Sequence, residues 1–149
     1  MNQHKVFPDI LFAMAITAFI GALLLGVTAP WLLREYCRFI GLASVPRGLL
    51  ALIYVSYLPF MAIWAASLKL CMNLRRDIPF SSDSISKLRV ISFCAFFDFL
   101  VYCAGTAIYR RMVFFVIAAG AFMIFIISAI IRELVVRGIE LKQETELTI

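Results

Sequence analysis

Four apolar stretches, each long enough to cross a hydrocarbon layer as a helix, dictate what this chain can fold into. They run from Ile10 to Leu33, Gly48 to Leu68, Val90 to Tyr109 and Met112 to Ile131, and only the third contains a charge. A hydrocarbon core of about 30 Å needs ~20 residues of helix. Apolar residues make up 64% of the 149, against roughly 45–50% in a soluble domain. The expected architecture is therefore all-α: a polytopic membrane protein with four transmembrane helices in one antiparallel bundle. Its spans fall at about 10–33, 48–68, 90–109 and 112–131, with a loop at 69–89 and a tail at 132–149. The remainder is too short for a soluble catalytic module. The first stretch exceeds the usual ~7–15 residues of a signal-peptide core, so it reads as a retained helix.

The net charge of +5 does not call for direct contact with nucleic acid. The basic residues cluster at the ends of the apolar stretches, where headgroups and topology signals explain them. With four spans, both termini and the 69–89 loop share one side, which holds nine Lys and Arg residues against five on the other. That bias places both termini in the cytoplasm, although Arg110 and Arg111 run against it. The lipid bilayer is the first partner implied, and the absence of glycosylation sequons fits a bacterial inner membrane. The four cysteines, Cys37, Cys71, Cys94 and Cys103, contain no C-x-x-C pair. Cys94 and Cys103 lie two and a half turns apart on one helix and point away from each other, so packing is their expected role.

Along the chain, helix one is expected to end near Pro30 and Trp31, with Trp31 and Tyr36 as interfacial anchors. A true loop should follow from Arg34 to Arg47. Pro59 removes a backbone donor at the centre of helix two, which neighbouring helices in a membrane can compensate. In Leu74 to Phe80, Pro79 forces extended geometry on the residue before it. Ser81, Ser82, Asp83 and Ser84 then offer N-caps, with Asp83 suited to the first turn of a helix. Ile85, Leu88, Ile91 and Ser92 keep helical spacing, so helix three should begin about two turns before its apolar span. Little beyond Tyr109, Arg110 and Arg111 separates helices three and four, which requires a hairpin. Small residues at Ala118 to Ala121, and at Ala13, Thr17 and Gly21, are expected to let neighbours approach, within the chain or in a homodimer. Beyond Arg132 the chain should stay helical for a few turns and end as a frayed, charge-alternating segment or a docking peptide.

Asp98 is where chemistry is expected. A carboxylate at bilayer depth costs about 2.5–3.5 kcal/mol on insertion scales and usually faces a partner, a cavity or a pathway. A merely structural role is one reading, the carboxyl being protonated or locally hydrogen-bonded, with Tyr102 at i+4 and Cys94 at i−4 on the same helix face. Tyr54, Ser56 and Tyr57 of helix two, at similar depth, are further candidate donors. A proton or cation site in a small transporter is the second reading, with the surrounding rings suited to a lipophilic cation. Small four-helix multidrug exporters carry their acid in helix one, however, and helix one here has none. A ligand-sensing pocket or conformational switch is the third. No enzyme is expected, nor any metal or cofactor. The single histidine, His4, lies in an N-terminal segment expected to be flexible, and H-E-x-x-H, G-x-S-x-G and phosphate-loop patterns are missing. A membrane aspartyl protease would need a second intramembrane acid.

Two segments carry a resemblance. Leu74-Arg75-Arg76-Asp77-Ile78-Pro79-Phe80-Ser81 with Leu88-Arg89-Val90-Ile91, and the ending Glu140-Leu141-Lys142-Gln143-Glu144-Thr145-Glu146-Leu147-Thr148-Ile149, are similar to a family of small bacterial four-helix membrane proteins of unknown function. That family usually has glutamate-asparagine-aspartate before the terminal leucine, from which Thr145 and Glu146 depart. Its members are often encoded beside a small helix-turn-helix regulator. The resemblance implies a regulatory or sensory membrane protein that holds or releases a small cytoplasmic DNA-binding partner. The surface expected to do so comprises Arg75, Arg76 and Phe80 of the loop and Glu140, Glu144, Leu147 and Ile149 of the tail. The alternative is a small transporter or immunity-type protein built on Asp98.

Overall fold

Each apolar stretch lies inside a longer helix. The structure, a computed structural model, describes residues 3–148, with side chains from Val6 onward; the readings of Ile149 and of the His4 and Lys5 side chains fall outside the described residues. The helices are α1 (Gln3–Phe39), α2 (Leu49–Arg75), α3 (Ser82–Tyr109) and α4 (Met112–Leu147). All four are long and apolar enough to cross a membrane.

The expected stop at Pro30 is wrong: α1 passes through Pro30 and runs to Phe39. A proline in a helix leaves the carbonyl four residues earlier without its donor. Here that carbonyl belongs to Gly26, and the Tyr54 hydroxyl of α2 donates to it at a long 3.5 Å. One turn further, the Tyr57 hydroxyl donates to the Ala22 carbonyl at 3.1 Å. The Tyr57 ring reaches it by lying against Gly26 so closely that any Cβ there would overlap the ring. A neighbouring helix thus repairs the proline, as apolar surroundings demand. The loop expected from Arg34 consequently shrinks to the residues after Phe39.

The helix ends are defined by hydrogen bonds. After α1, Leu42 N–H donates to Cys37 O and Gly41 N–H to Arg38 O, with Gly41 at φ 74°. This is the six-to-one and five-to-two closure that a left-handed residue permits after a helix. The same pair closes α2, where Ile78 N–H donates to Asn73 O and Asp77 N–H to Leu74 O. Asp77 takes the left-handed position at φ 58°. The buried Asn73 also ties this end to the next helix: its amide donates to Asp83 Oδ2 at 2.9 Å and to Ser84 Oγ at 3.2 Å. Ser81 caps α3 by accepting from Ser84 N–H, within the run of expected caps, and Leu88, Ile91 and Ser92 are buried as their spacing requires.

Only Arg110 and Arg111 separate α3 from α4. The two helices pair in reverse order: Tyr109 with Phe114, Phe99 with Phe122, Phe96 with Phe125 and Ser92 with Ser128. Each helix packs against its successor, α1 on α2, α2 on α3 and α3 on α4, and among the described residues no Cα of α1 comes within 8 Å of one in α4. Side chains bridge that gap at one end, where Leu33, Cys37, Leu49 and Phe114 form a buried cluster. Within the chain no neighbour comes close to Gly21 or Gly120, where a Cβ would meet nothing within 4 Å, whereas Ala118 of the same small-residue run is buried.

The tail does not fray after a few turns; α4 stays helical to Leu147. Phe80, from the α2–α3 connection, lies over Gly138, where a Cβ would come 2.7 Å from its ring. Gly138→Ala is therefore expected to gain the roughly 1 kcal/mol of helix propensity only when Phe80 is also changed to Ala. In the parent background, loss of the ring contact offsets that gain. Thermal unfolding of the four members of this cycle measures the coupling, and identical effects in both backgrounds would rule the contact out.

Candidate functional site

Residues 91, 95, 98 and 102 recur at helical spacing, and on α3 they project Ile91, Ala95, Asp98 and Tyr102 toward a cavity of about 840 Å³. The other three helices complete its lining. Leu25, Ala29 and Leu32 come from α1; Ser56, Tyr57, Phe60, Trp64 and Ser67 from α2; Ile117, Gly120, Ala121 and Ile124 from α4. The cavity occupies the space left because α1 and α4 stay apart. Its rims are exposed on both sides, Leu25 by 54% on α1 and Ile124 by 45% on α4. The cluster around Phe114 packs Leu33, Ile53 and Tyr102, three of the cavity's own lining residues, at its α1–α2 loop end.

Asp98 lies in this lining, only 5% exposed, and its Oδ1 has no hydrogen-bond partner among the described residues. The donors expected for it are engaged elsewhere. Tyr54 and Tyr57 turn to the carbonyls of α1. The Ser56 hydroxyl donates to Ile53 O at 3.0 Å, so in the 2.8 Å contact between Ser56 and Tyr102 the tyrosine is the donor. That interaction spends the Tyr102 proton. Of the four residues expected to form one intramembrane polar site, Asp98, Tyr57 and Tyr102 line the cavity, whereas Tyr54 does not. The cysteines are free, and among the described residues no group of three His, Cys, Asp or Glu side chains is placed to hold a metal ion.

The residues expected to face a partner divide into two sets. Arg75 is held within the molecule: its Nε pairs with Asp9 at 2.7 Å, and its guanidinium lies 4.7 Å from the centre of the Phe12 ring. It fastens the end of α2 to the start of α1. Phe80 packs on Gly138 while leaving half its surface open. Arg76, Glu140, Glu144 and Leu147 remain exposed, Leu147 by 86%. Gly26, Asn73 and Gly138 were not singled out in the sequence, because a glycine's value here depends on a ring arriving from another helix. Asp9 carries no such signal either, since its partner Arg75 arrives from the far end of α2.

Residues 35–149 match the model of a family described as a protein of unknown function, DUF2975. The chain belongs to this DUF2975 family. No curated protein and no solved structure matches it. The match takes in α2, α3 and α4 with Asp98, Tyr102 and the tail, while the α1 wall of the cavity up to Leu33 precedes it.

A buried carboxylate oxygen without a donor costs on the order of 1–3 kcal/mol. Asp98→Leu, whose side chain the cavity can accommodate, is therefore expected to raise stability by about that amount. Thermal unfolding in detergent tests this, and a lower midpoint would show that the carboxylate has a partner.

Proposed function

We propose that this DUF2975 chain is a non-enzymatic regulatory or sensory protein of a bacterial cytoplasmic membrane. In this reading its four helices form an antiparallel bundle with both termini in the cytoplasm. The cavity at Asp98 takes a ligand, and the cytoplasmic end answers by holding or releasing a small partner, such as a helix-turn-helix regulator. The observation that carries it is the unpartnered Asp98 oxygen, buried against a four-helix cavity. Proteins retain such a costly group where it meets something from outside. A ligand acts as a signal only if it favours one arrangement of the helices over another. The row-like packing supports this, because α1 and α4 are joined by side chains around Phe114 at one end rather than by close packing along their length. For the partner, the exposed helical tail supports a surface made of Glu140, Glu144 and Leu147, and Arg76, exposed where Arg75 is paired, is the loop cation left for it.

Transport is the second reading, favoured by the exposed rims of the cavity on α1 and α4. The two separate in one pair of variants. In the regulatory reading, a crosslinked pull-down from native membranes recovers a small DNA-binding protein with the full chain. Recovery is lost when the chain ends at Ile139 and persists in Asp98→Asn. Transport predicts no such partner, with Asp98→Asn abolishing proton-coupled uptake and the truncation leaving it intact.

A further inference from the structure

The chemistry of the cavity wall specifies its ligand more narrowly than the regulatory reading does, and the inference rests on that reading's treatment of the cavity as a ligand site. We propose that the cavity binds a lipophilic organic monocation, one positive centre on an otherwise hydrocarbon or aromatic body, which enters sideways between α1 and α4 and pairs with Asp98.

Charge balance comes first. Among the described residues, no lysine, arginine or histidine lines the cavity, and Asp98 is the one acidic side chain that does. An ionised carboxylate in such surroundings needs an opposite charge, because apolar walls return little of the solvation it gave up. Four of the wall hydroxyls are engaged with other acceptors, and the remaining donors of the lining, the Tyr36 hydroxyl and the Trp64 indole N–H, make no bond to Asp98 Oδ1. Ser56 donates to Ile53 O, Ser67 to Ile63 O, Tyr57 to Ala22 O and Tyr102 to Ser56. An ionised Asp98 therefore finds no cation among the residues lining the cavity, and a bound cation supplies one where a proton is the other neutralising partner.

The rest of the wall excludes other classes. An anion would meet the carboxylate with no cation beside it. A sugar or nucleotide would bury many polar groups against a surface that offers almost none. Aromatic rings accept a cation in a way that saturated side chains do not, through the negative potential of their faces. Five of them, Tyr36, Tyr57, Phe60, Trp64 and Tyr102, line this cavity. Phe60 and Trp64 meet edge to face with centroids 6.2 Å apart. A volume of about 840 Å³ falls within the roughly 300–1,000 Å³ typical of small organic ligands. The ligand's route follows from the helix order. Among the described residues α1 and α4 have no Cα atoms within 8 Å of each other, so away from the Leu33–Phe114 cluster at one end a molecule dissolved in the hydrocarbon layer reaches Asp98 between them without crossing a close helix packing.

The test uses radiolabelled tetraphenylphosphonium with the full chain purified in detergent, and tetraphenylborate as an anion of matching shape. Two variants act on separate parts of the site. Asp98→Asn removes the charge at constant shape. Gly120→Phe fills the cavity from a position where an added Cβ meets open space, leaving the charge in place. The expected result is saturable phosphonium binding that weakens about tenfold or more in each variant, with no competition from tetraphenylborate. Equal binding of both ions, lost in Gly120→Phe but unchanged in Asp98→Asn, overturns the monocation while preserving an apolar ligand site. Binding that falls as protein concentration rises overturns it differently, by showing a second copy seated in the groove. Absence of saturable binding overturns the monocation, whereas loss of the tail-dependent partner would remove the regulatory reading alone.

Discussion

Short connections hold each helix against its successor in the chain, and nothing comparable draws α1 back to α4. Two residues join α3 to α4. The connections after α1 and α2 begin with the same left-handed closure, made by Gly41 in one and Asp77 in the other. Asn73 then locks the second connection by bonding to the first turn of α3. Such local bonds set where each helix starts relative to the last. The four helices consequently stand as a row whose outer members are linked by side chains around Phe114. The cavity is the space this row encloses.

Polar groups follow one rule across the helix interfaces, and Asp98 is the departure from it. In apolar surroundings helices gain little from burying hydrocarbon against each other, so close packing and hydrogen bonds hold them together. The interface of α1 with α2 uses two tyrosines on backbone carbonyls. That of α2 with α3 uses Ser56 and Tyr102, and that of α3 with α4 uses Ser92 and Ser128. Each of these pairs is complete within the protein. Asp98 shares the depth of Tyr102 and contributes to no such pair.

The helices and their caps were legible because those signals are local: twenty apolar residues, a serine cluster before a periodic run, two arginines between spans. Ser81 and the burial of Leu88 and Ile91 follow from spacing alone. What could not be read depends on which helix stands opposite. Pro30 looks like a terminus until Tyr54 is known to face the carbonyl it frees. Tyr57 resembles a donor for Asp98 in depth, yet the absent Cβ of Gly26 draws its ring toward α1. Arg75 has the character of a free docking cation until Asp9 and Phe12 are placed beside it. Asp98 itself was plain from composition, as an acid in an apolar span. Its lack of a partner was not, since five neighbouring hydroxyls and thiols made one look available.

The length of α4 gives the molecule a mechanical property. This one helix supplies cavity wall from Ile117 to Ile124 and continues unbroken to Leu147. At 1.5 Å per residue it is a rod of about 54 Å. Phe80 touches it at Gly138, some 27 Å from Gly120 and about 14 Å from Leu147. Cavity wall and exposed tip therefore belong to one continuous hydrogen-bonded element, and neither end can take up a new orientation independently of the other unless the helix between them breaks.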